Sequence, residues 1–184
     1  MKKIVDPDQR SKKFIFVPFC LMCQAFQARG IVRFGFSSTI KPIMDELLNH
    51  DVNIIQMPCP ESQLGGYEKG LRRNPQGISQ YNTSEFIEIC ERVATEVAEM
   101  IKGILSSGYT VVGILGMEYS SSCSIKLQYS HRGTFHQPGI FIEALQNILE
   151  RERINIPFIG VNRRGIRSSL KRILELFEEE TLFK

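Results

Sequence analysis

At 184 residues the chain has the length of one ordinary domain and can bury a hydrophobic core without disulfide bonds. Hydrophobic residues make up 42% and charged residues 23%, a globular balance that excludes a low-complexity protein. The formal net charge of +3 does not indicate nucleic-acid binding. We expect a single domain over residues 1–184, with residues 1–13 as a flexible N-terminal segment.

Four short apolar runs have the character of buried parallel strands, because they are rich in Val, Ile and Phe and do not alternate with polar residues. They are Phe14–Phe19, Val52–Met57, Thr110–Leu115 and Pro157–Val161. The first run follows a basic segment, as in a signal peptide, but Pro18 interrupts it and no small-residue cleavage site follows. No run approaches the ~18 apolar residues of a membrane span. We therefore expect a cytoplasmic protein with reduced cysteines and no membrane partner.

Helical patterns lie between the predicted strands. The clearest runs from about Ser84 to Ser106, where Asn82, Thr83 or Ser84 can cap its start and Gly108 can end it. Shorter helices are predicted at Pro42–His50, Gly139–Glu150 and Ile166–Glu180. The alternation of strands and helices predicts an α/β fold, an open and mostly parallel sheet with helices on both faces, Rossmann-like or flavodoxin-like.

Three of the five cysteines directly follow predicted strands: Cys20, Cys59 and Cys123. Because the loops that leave the carboxyl ends of parallel strands converge on one crevice, we expect these thiols to lie together. Three soft thiolate ligands without a fourth suit a 4Fe-4S cluster with one open iron, or zinc. Cys90 falls on the apolar stripe of the long helix and is predicted to be a core residue. Cys23 has three open roles: fourth ligand, redox partner of Cys20, or bystander.

Polar residues near these cysteines have two interpretations each. Glu61, two residues after Cys59, can move protons to or from a cluster-bound group, or can be a capping or solvated glutamate. The serine-rich segment that ends at Cys123 can bond cluster sulfides or a substrate carbonyl, or can form a simple turn. The run Arg163-Arg164 precedes a predicted helix, where it can hold an anion or form a solvated basic face.

Together these motifs resemble the 2-thiouracil desulfidase family, of which the chain is identified as a distant member. The matching elements, in order from about Phe14 to Val161, are Cys20, Cys59-Pro60-Glu61 with Gly65-Gly66, and Ser120-Ser121-Ser122-Cys123. The resemblance implies a 4Fe-4S cluster bound by Cys20, Cys59 and Cys123, whose open iron takes the sulfur of a thiolated nucleobase or similar small thiocarbonyl substrate. It also implies that Glu61 and Ser120 are catalytic residues, which position or activate substrate and water.

Two other functions stay open from the residues themselves. One is a structural metal or iron–sulfur site, and the other is thiol redox chemistry by the pair Cys20 and Cys23. The redox function requires this pair to open a helix, because a helix N-terminus lowers the pKa of a thiol. The oligomeric state is not indicated by the sequence.

Overall fold

A computed structural model, which describes residues 8–130 and 132–178, shows an α/β fold built on a four-stranded parallel sheet. The strands of this sheet are β1 (Lys13–Pro18), β2 (Asn53–Met57), β3 (Thr110–Met117) and β6 (Phe158–Val161). Their order across the sheet is β2-β1-β3-β6, so β1 and β3 are the central strands. The predicted fold class is confirmed, and each of the four predicted apolar runs forms one of these strands.

Eight helices connect the strands within the described residues. They are α1 (Phe19–Met22), α2 (Lys41–Asn49), α3 (Pro60–Gln63), α4 (Tyr67–Arg72), α5 (Ile78–Tyr81), α6 (Ser84–Ser106), α7 (Ile140–Arg151) and α8 (Ile166–Glu178). Helix α6 has the predicted bounds. Thr83 Oγ1 caps it by accepting from the backbone N–H of Phe86 at 3.3 Å, and Gly108 follows its end with a φ of +78°.

The strands are mostly apolar because helices flank the sheet. Helix α6 packs against α7, and α2 packs against α8. Ile15, Phe16 and Val17 of β1 are fully buried, as are Phe86 of α6 and Phe141 of α7. No helix within the described residues has both the length and the apolarity needed to cross a membrane.

A β-hairpin that the sequence analysis did not predict follows the third strand. It pairs β4 (Leu127–Ser130) with β5 (Gly133–His136) in antiparallel fashion. The two strands have only four residues each and carry too few apolar side chains to form a strand signal. The hairpin matters for function because Gln128, Tyr129 and Thr134 line the main cavity.

The N-terminal segment is only partly described, since residues 1–7 lie outside the described residues. Strand β1 begins at Lys13. Before it, Ser11 makes hydrogen bonds to the segment that leads into β2: its backbone carbonyl accepts from Asn53 Nδ2 at 2.8 Å, and its hydroxyl donates to the carbonyl of Asp51 at 2.5 Å. These bonds attach Ser11 to the edge of the sheet.

Candidate functional site

Three cysteine thiols line one cavity at the carboxyl edge of the parallel sheet. Cys20 lies in α1 directly after β1, Cys59 lies between β2 and α3, and Cys123 lies in the turn after β3. Because β2, β1 and β3 are neighbours, the three cysteines come from adjacent strand ends. The cavity has a volume of about 840 Å³, which lies within the range of small-molecule sites.

The three thiols lie near enough to affect one another electrostatically. Burial raises the pKa of Cys123 well above that of an ordinary thiol, and the neighbouring Cys59 and Cys20 raise it further. Burial also raises the pKa of Cys20 to about 12, against the opposing influence of Arg163 and Arg73. Free thiols in this cavity are therefore protonated at neutral pH. A metal that binds them as thiolates has to displace their protons.

The carboxylate of Glu61 joins α3 to the loop that follows β3. Ser120 Oγ and Ser122 Oγ each donate a hydrogen bond to Glu61 Oε1 at 2.8 Å. Ser122 Oγ also lies 3.3 Å from Sγ of Cys123. Only 12% of the Glu61 side chain is exposed, so its position is fixed by these bonds rather than by solvent. A carboxylate is thereby held beside the thiols.

Arg73 holds the other side of this carboxylate. Its Nε atom lies 3.2 Å from Glu61 Oε2. The same guanidinium donates from Nη1 to the carbonyl of Gly70 at 3.0 Å and to Ser62 Oγ at 3.2 Å, and from Nη2 to the carbonyl of Phe26. One buried cation thus links the carboxylate to two helices and to the segment that follows Cys20.

The loop that carries Cys123 is folded around the buried carboxylate of Glu118. Its Oε2 atom accepts hydrogen bonds from the backbone N–H groups of Lys126 at 3.2 Å and Leu127 at 2.9 Å, and from Ser124 Oγ at 2.9 Å. The side chain is buried, and three donors compensate for its lost hydration. The hydrogen bonds to Glu118 therefore stabilise the conformation of this loop.

A glycine lets α7 approach this loop closely. A Cβ atom at Gly139 would overlap the backbone of Ser122 and lie 2.8 Å from the backbone nitrogen of Cys123. The contact is reinforced by a hydrogen bond from the backbone N–H of Ile140 to the carbonyl of Ser121 at 3.0 Å. The position of Cys123 thus depends on the missing side chain at Gly139.

The fourth strand end contributes Arg163 to the cavity where the other three contribute cysteines. Arg163 Nη1 donates to Oε1 of Gln27 at 3.0 Å, and Arg33 Nη1 donates to the backbone carbonyl of Arg163 at 2.9 Å. Arg33 and Arg164 also line the cavity. Arg163 is partly buried in the cavity wall and Arg164 is exposed, so the run is not a uniformly solvated basic face; its predicted anion binding stays a prediction.

Two buried nitrogen atoms of cavity-lining residues have no hydrogen-bond acceptor among the described residues. They are Nε2 of Gln27 and Nε of Arg73, which is near Glu61 but not aligned for a hydrogen bond. Buried donors are normally satisfied, and leaving one unpaired costs about 1–3 kcal/mol. Both residues line the cavity, but the two nitrogen atoms themselves are buried.

Cys90 and Cys23 differ from the three cysteines of the cavity. Cys90 is fully buried in the core on α6, as predicted. Cys23 directly follows α1, and all five cysteines, which lie within the described residues, are free thiols. Cys20 lies in the first turn of α1, but this helix has only four residues and ends at Met22, before Cys23. Burial raises the pKa of Cys20, whereas the thiol redox function calls for a lowered one; this alternative stays a prediction.

All five residues predicted to form the site line the same cavity: Cys20, Cys59, Glu61, Ser120 and Cys123. Their proposed roles stay predictions. Among the described residues, no three His, Cys, Asp or Glu side chains are grouped closely enough to hold a single metal ion.

Arg73, Ser122 and Gln27 belong to the site but were not assigned a role from the sequence. Ser122 belongs to the serine-rich segment. That segment was predicted to contribute hydroxyl groups to the site, but the sequence did not indicate that Ser122 in particular would do so. Arg73 lies in the long polar connection 65–81, whose length alone is typical of a functional segment. Gln27 had no sequence signal, because its burial depends on a contact with Arg163 from the far end of the chain.

Comparisons with known proteins give distant similarities. No protein-family model matches the chain. An uncharacterized protein of Methanocaldococcus jannaschii is 24% identical over 147 residues, which cover 80% of this chain and 83% of that protein. The solved structure of the [4Fe-4S]-dependent thiouracil desulfidase TudS is similar with a TM-score of 0.48 and 19% identity, over 88% of this chain and 97% of that one.

Proposed function

We propose that this protein is a desulfidase that holds a 4Fe-4S cluster on Cys20, Cys59 and Cys123 and removes sulfur from a small thiocarbonyl compound. The observation that carries the proposal is the presence, on one cavity, of three thiols and a carboxylate bound by two serine hydroxyls. The substrate class, a thiolated nucleobase or a similar thioamide-like molecule, follows from the motif resemblance.

The donor set suits a cluster better than a single ion. The thiolates of a cluster bind different iron atoms and need not converge on one point. The guanidinium groups of Arg73 and Arg163 lie within electrostatic range of Cys20 and offset the negative charge of thiolates and sulfides.

When bound, the cluster would supply a Lewis-acidic iron that polarises a thiocarbonyl group through its sulfur. Glu61 is the residue that acts on water. Its Oε1 atom is occupied by the hydroxyls of Ser120 and Ser122, whereas Oε2 keeps a free lone pair beside its contact with Arg73. Oε2 therefore accepts a proton from the attacking water.

Ser120 acts as the group that aligns Glu61 with the cavity. Its hydroxyl donates to the carboxylate and accepts from the backbone N–H of Cys123 at 3.1 Å. Ser120, together with Ser122, thereby sets the distance between the carboxylate and the proposed ligand Cys123. In the overall reaction the carbon exchanges its sulfur for the oxygen of water and hydrogen sulfide leaves, so no oxidant or reductant is consumed.

The test is anaerobic reconstitution with iron and sulfide, followed by metal analysis and a sulfide-release assay with 2-thiouracil. We expect about four irons and four sulfides per chain, lost in Cys59→Ala and retained in the core control Cys90→Ala. Sulfide release by the loaded protein supports the proposal. Failure of the wild-type protein to take up iron would overturn it, and a loaded protein without release would limit the site to a structural or redox role.

A further inference from the structure

We propose that residues 30–36, here called the strap, form a gate over the thiol cavity that Arg33 holds closed. The latch is the hydrogen bond of 2.9 Å that Arg33 Nη1 donates to the backbone carbonyl of Arg163. The gate controls how quickly molecules from solution reach the three cavity cysteines. It depends on the geometry of the cavity alone, so it stands whether or not the protein is a desulfidase.

The strap is the outer part of a loop whose two ends are held together. This loop leaves the core at the 3₁₀ turn Gln24–Phe26 and returns before α2. The backbone N–H of Gln24 donates to the carbonyl of Ser38 at 2.8 Å, and that of Ile40 donates to the carbonyl of Leu21 at 3.0 Å. Surface loops of about 6–16 residues with their ends in contact are compact units that frequently carry function.

The inner part of the loop is attached to two sides of the cavity. The backbone N–H of Arg29 donates to the carbonyl of Arg73 at 2.9 Å, and Arg73 Nη2 donates to the carbonyl of Phe26. On the other side, Gln27 Oε1 accepts from Arg163 Nη1 at 3.0 Å. Arg73 belongs to the segment that follows β2 and α4, whereas Arg163 follows β6. Because β2 and β6 are the two edge strands, the loop spans the edge of the sheet at which the cysteines lie.

The strap itself has few attachments. In the described part of the chain, two hydrogen bonds join it to other residues: the latch, and a bond of 3.4 Å from the backbone N–H of Ile31 to the carbonyl of Ala28. Residues 32–35 are exposed, and Phe34 has a relative exposure of 106%, so core packing does not hold it. Segments with few buried contacts open locally at a low cost in free energy.

Glycines stand at both ends of the exposed part of the strap. Gly30 has a φ of +76° and Gly35 a φ of +87°, conformations that glycine adopts without strain. Apart from their chain neighbours, no heavy atom of the described residues lies within 4 Å of a Cβ position built on either glycine. The space around both positions is thus unobstructed, as the hinges of a moving loop require.

The strap forms part of the cavity lining. Four of its residues contribute: Gly30, Ile31, Val32 and Arg33. The latch joins them to Arg163, which lines the cavity after the last strand of the sheet. Movement of the strap about its glycines therefore breaks the latch and opens this side of the cavity, while the sheet that positions the cysteines stays unchanged.

The experiment compares Arg33→Met with the matched control Arg29→Met. Both remove one positive charge from the same loop, but Arg29 does not line the cavity, and its backbone bond to Arg73 is kept. The rate of alkylation by iodoacetamide is measured at each cavity cysteine by mass spectrometry, at one fixed pH, in the cluster-free 184-residue chain. NMR order parameters and relaxation dispersion of the strap amides measure its mobility. The melting temperature shows that each variant is folded.

The cavity cysteines of Arg33→Met are expected to react about 3- to 10-fold faster than those of wild type. Their reaction rate follows the population of the open form, and one hydrogen bond changes such a population by about this factor. The strap amides of this variant should also become more mobile. Arg29→Met should match wild type in both measurements.

Three results would overturn the gate. The first is unchanged alkylation in Arg33→Met, and the second is an equal increase in Arg29→Met, which would be an effect of charge. The third is faster alkylation without increased strap mobility, because the shorter side chain would then have widened the cavity directly. None of these results bears on the desulfidase proposal, which is tested separately by iron uptake and sulfide release.

Discussion

Ser120 and Glu61, 59 residues apart in the chain, are joined by a hydrogen bond of 2.8 Å across the floor of the cavity. The bond fixes the only carboxylate among the residues that line this cavity within the described part of the chain. It also connects two loops that each carry a cavity cysteine, Cys59 and Cys123. The geometry of the proposed water activation and that of the proposed cluster site are therefore coupled.

Replacing Glu61 with glutamine is expected to lower sulfide release from 2-thiouracil by at least about 100-fold, because the amide cannot accept a proton. The size of the side chain is retained, so iron and sulfide content should match those of wild type. Ser120→Ala should cause a smaller loss, since Ser122 still donates to Oε1. Measured turnover close to wild type in Glu61→Gln would remove the carboxylate from the mechanism.

Substitutions of Arg73 and of its neighbour Arg72 compare a partly buried arginine with an exposed one. Arg73→Lys removes the bonds to Ser62 and to two backbone carbonyls, and we expect a loss of about 1–3 kcal/mol in the free energy of unfolding. Arg72 makes an exposed ion pair with Glu68, and Arg72→Lys should change stability by no more than about 0.5 kcal/mol. Urea denaturation of both variants measures the difference. Equal effects would show that the buried contacts of Arg73 contribute little.

Two glycines test the close packing beneath the cysteine loop. Gly139→Ala would place a methyl group against the backbone of Ser122, so we expect a loss of about 1–3 kcal/mol and reduced iron uptake. Gly103, within α6, has open space at its Cβ position, and Gly103→Ala should stabilise the helix by up to about 1 kcal/mol. Thermal melting and metal analysis measure both. Normal iron uptake by Gly139→Ala would mean that the loop adapts.

Alkylation should distinguish the cavity cysteines from the core cysteine. In the cluster-free protein at high pH, Cys20, Cys59 and Cys123 are expected to react with iodoacetamide, and loading with iron and sulfide should protect all three. Cys90 has no exposed surface and does not line the cavity, so it should react only after unfolding in both forms. Mass spectrometry of tryptic peptides gives the pattern. Protection of fewer than three cavity thiols would reject the proposed ligand set.

Sequence patterns were sufficient to predict the strands and helices whose own residues carry a clear pattern. The strand at Thr110–Met117 is a continuous apolar run, and α6 has a polar cap and a terminal glycine, so both were predictable. The carboxyl ends of the strands then brought the cysteines together. By contrast, the hairpin Leu127–Ser130 with Gly133–His136 is defined by its packing beside the cysteine loop, and its own residues carry too weak a pattern.

The polar partners of the site were less predictable than its cysteines for a physical reason. Arg73 and Gln27 are polar side chains in irregular segments, where the sequence gives no periodicity to reveal which side is buried. Arg73 binds the carbonyl of Phe26, and Gln27 binds Arg163, so each depends on a tertiary contact between distant parts of the chain. Such contacts exist only in the folded molecule.

The order of the strands has a consequence for how this protein is made. Strand β3 pairs with β1, although the whole of β2 and α6 is synthesised between them. Cys123 therefore cannot meet Cys20 while the intervening chain is still emerging from the ribosome. Assembly of the proposed cluster would require that translation has passed Cys123, and Arg163 joins the cavity wall only after the last strand of the sheet. The cavity as a whole is therefore complete only after most of the chain has been synthesised.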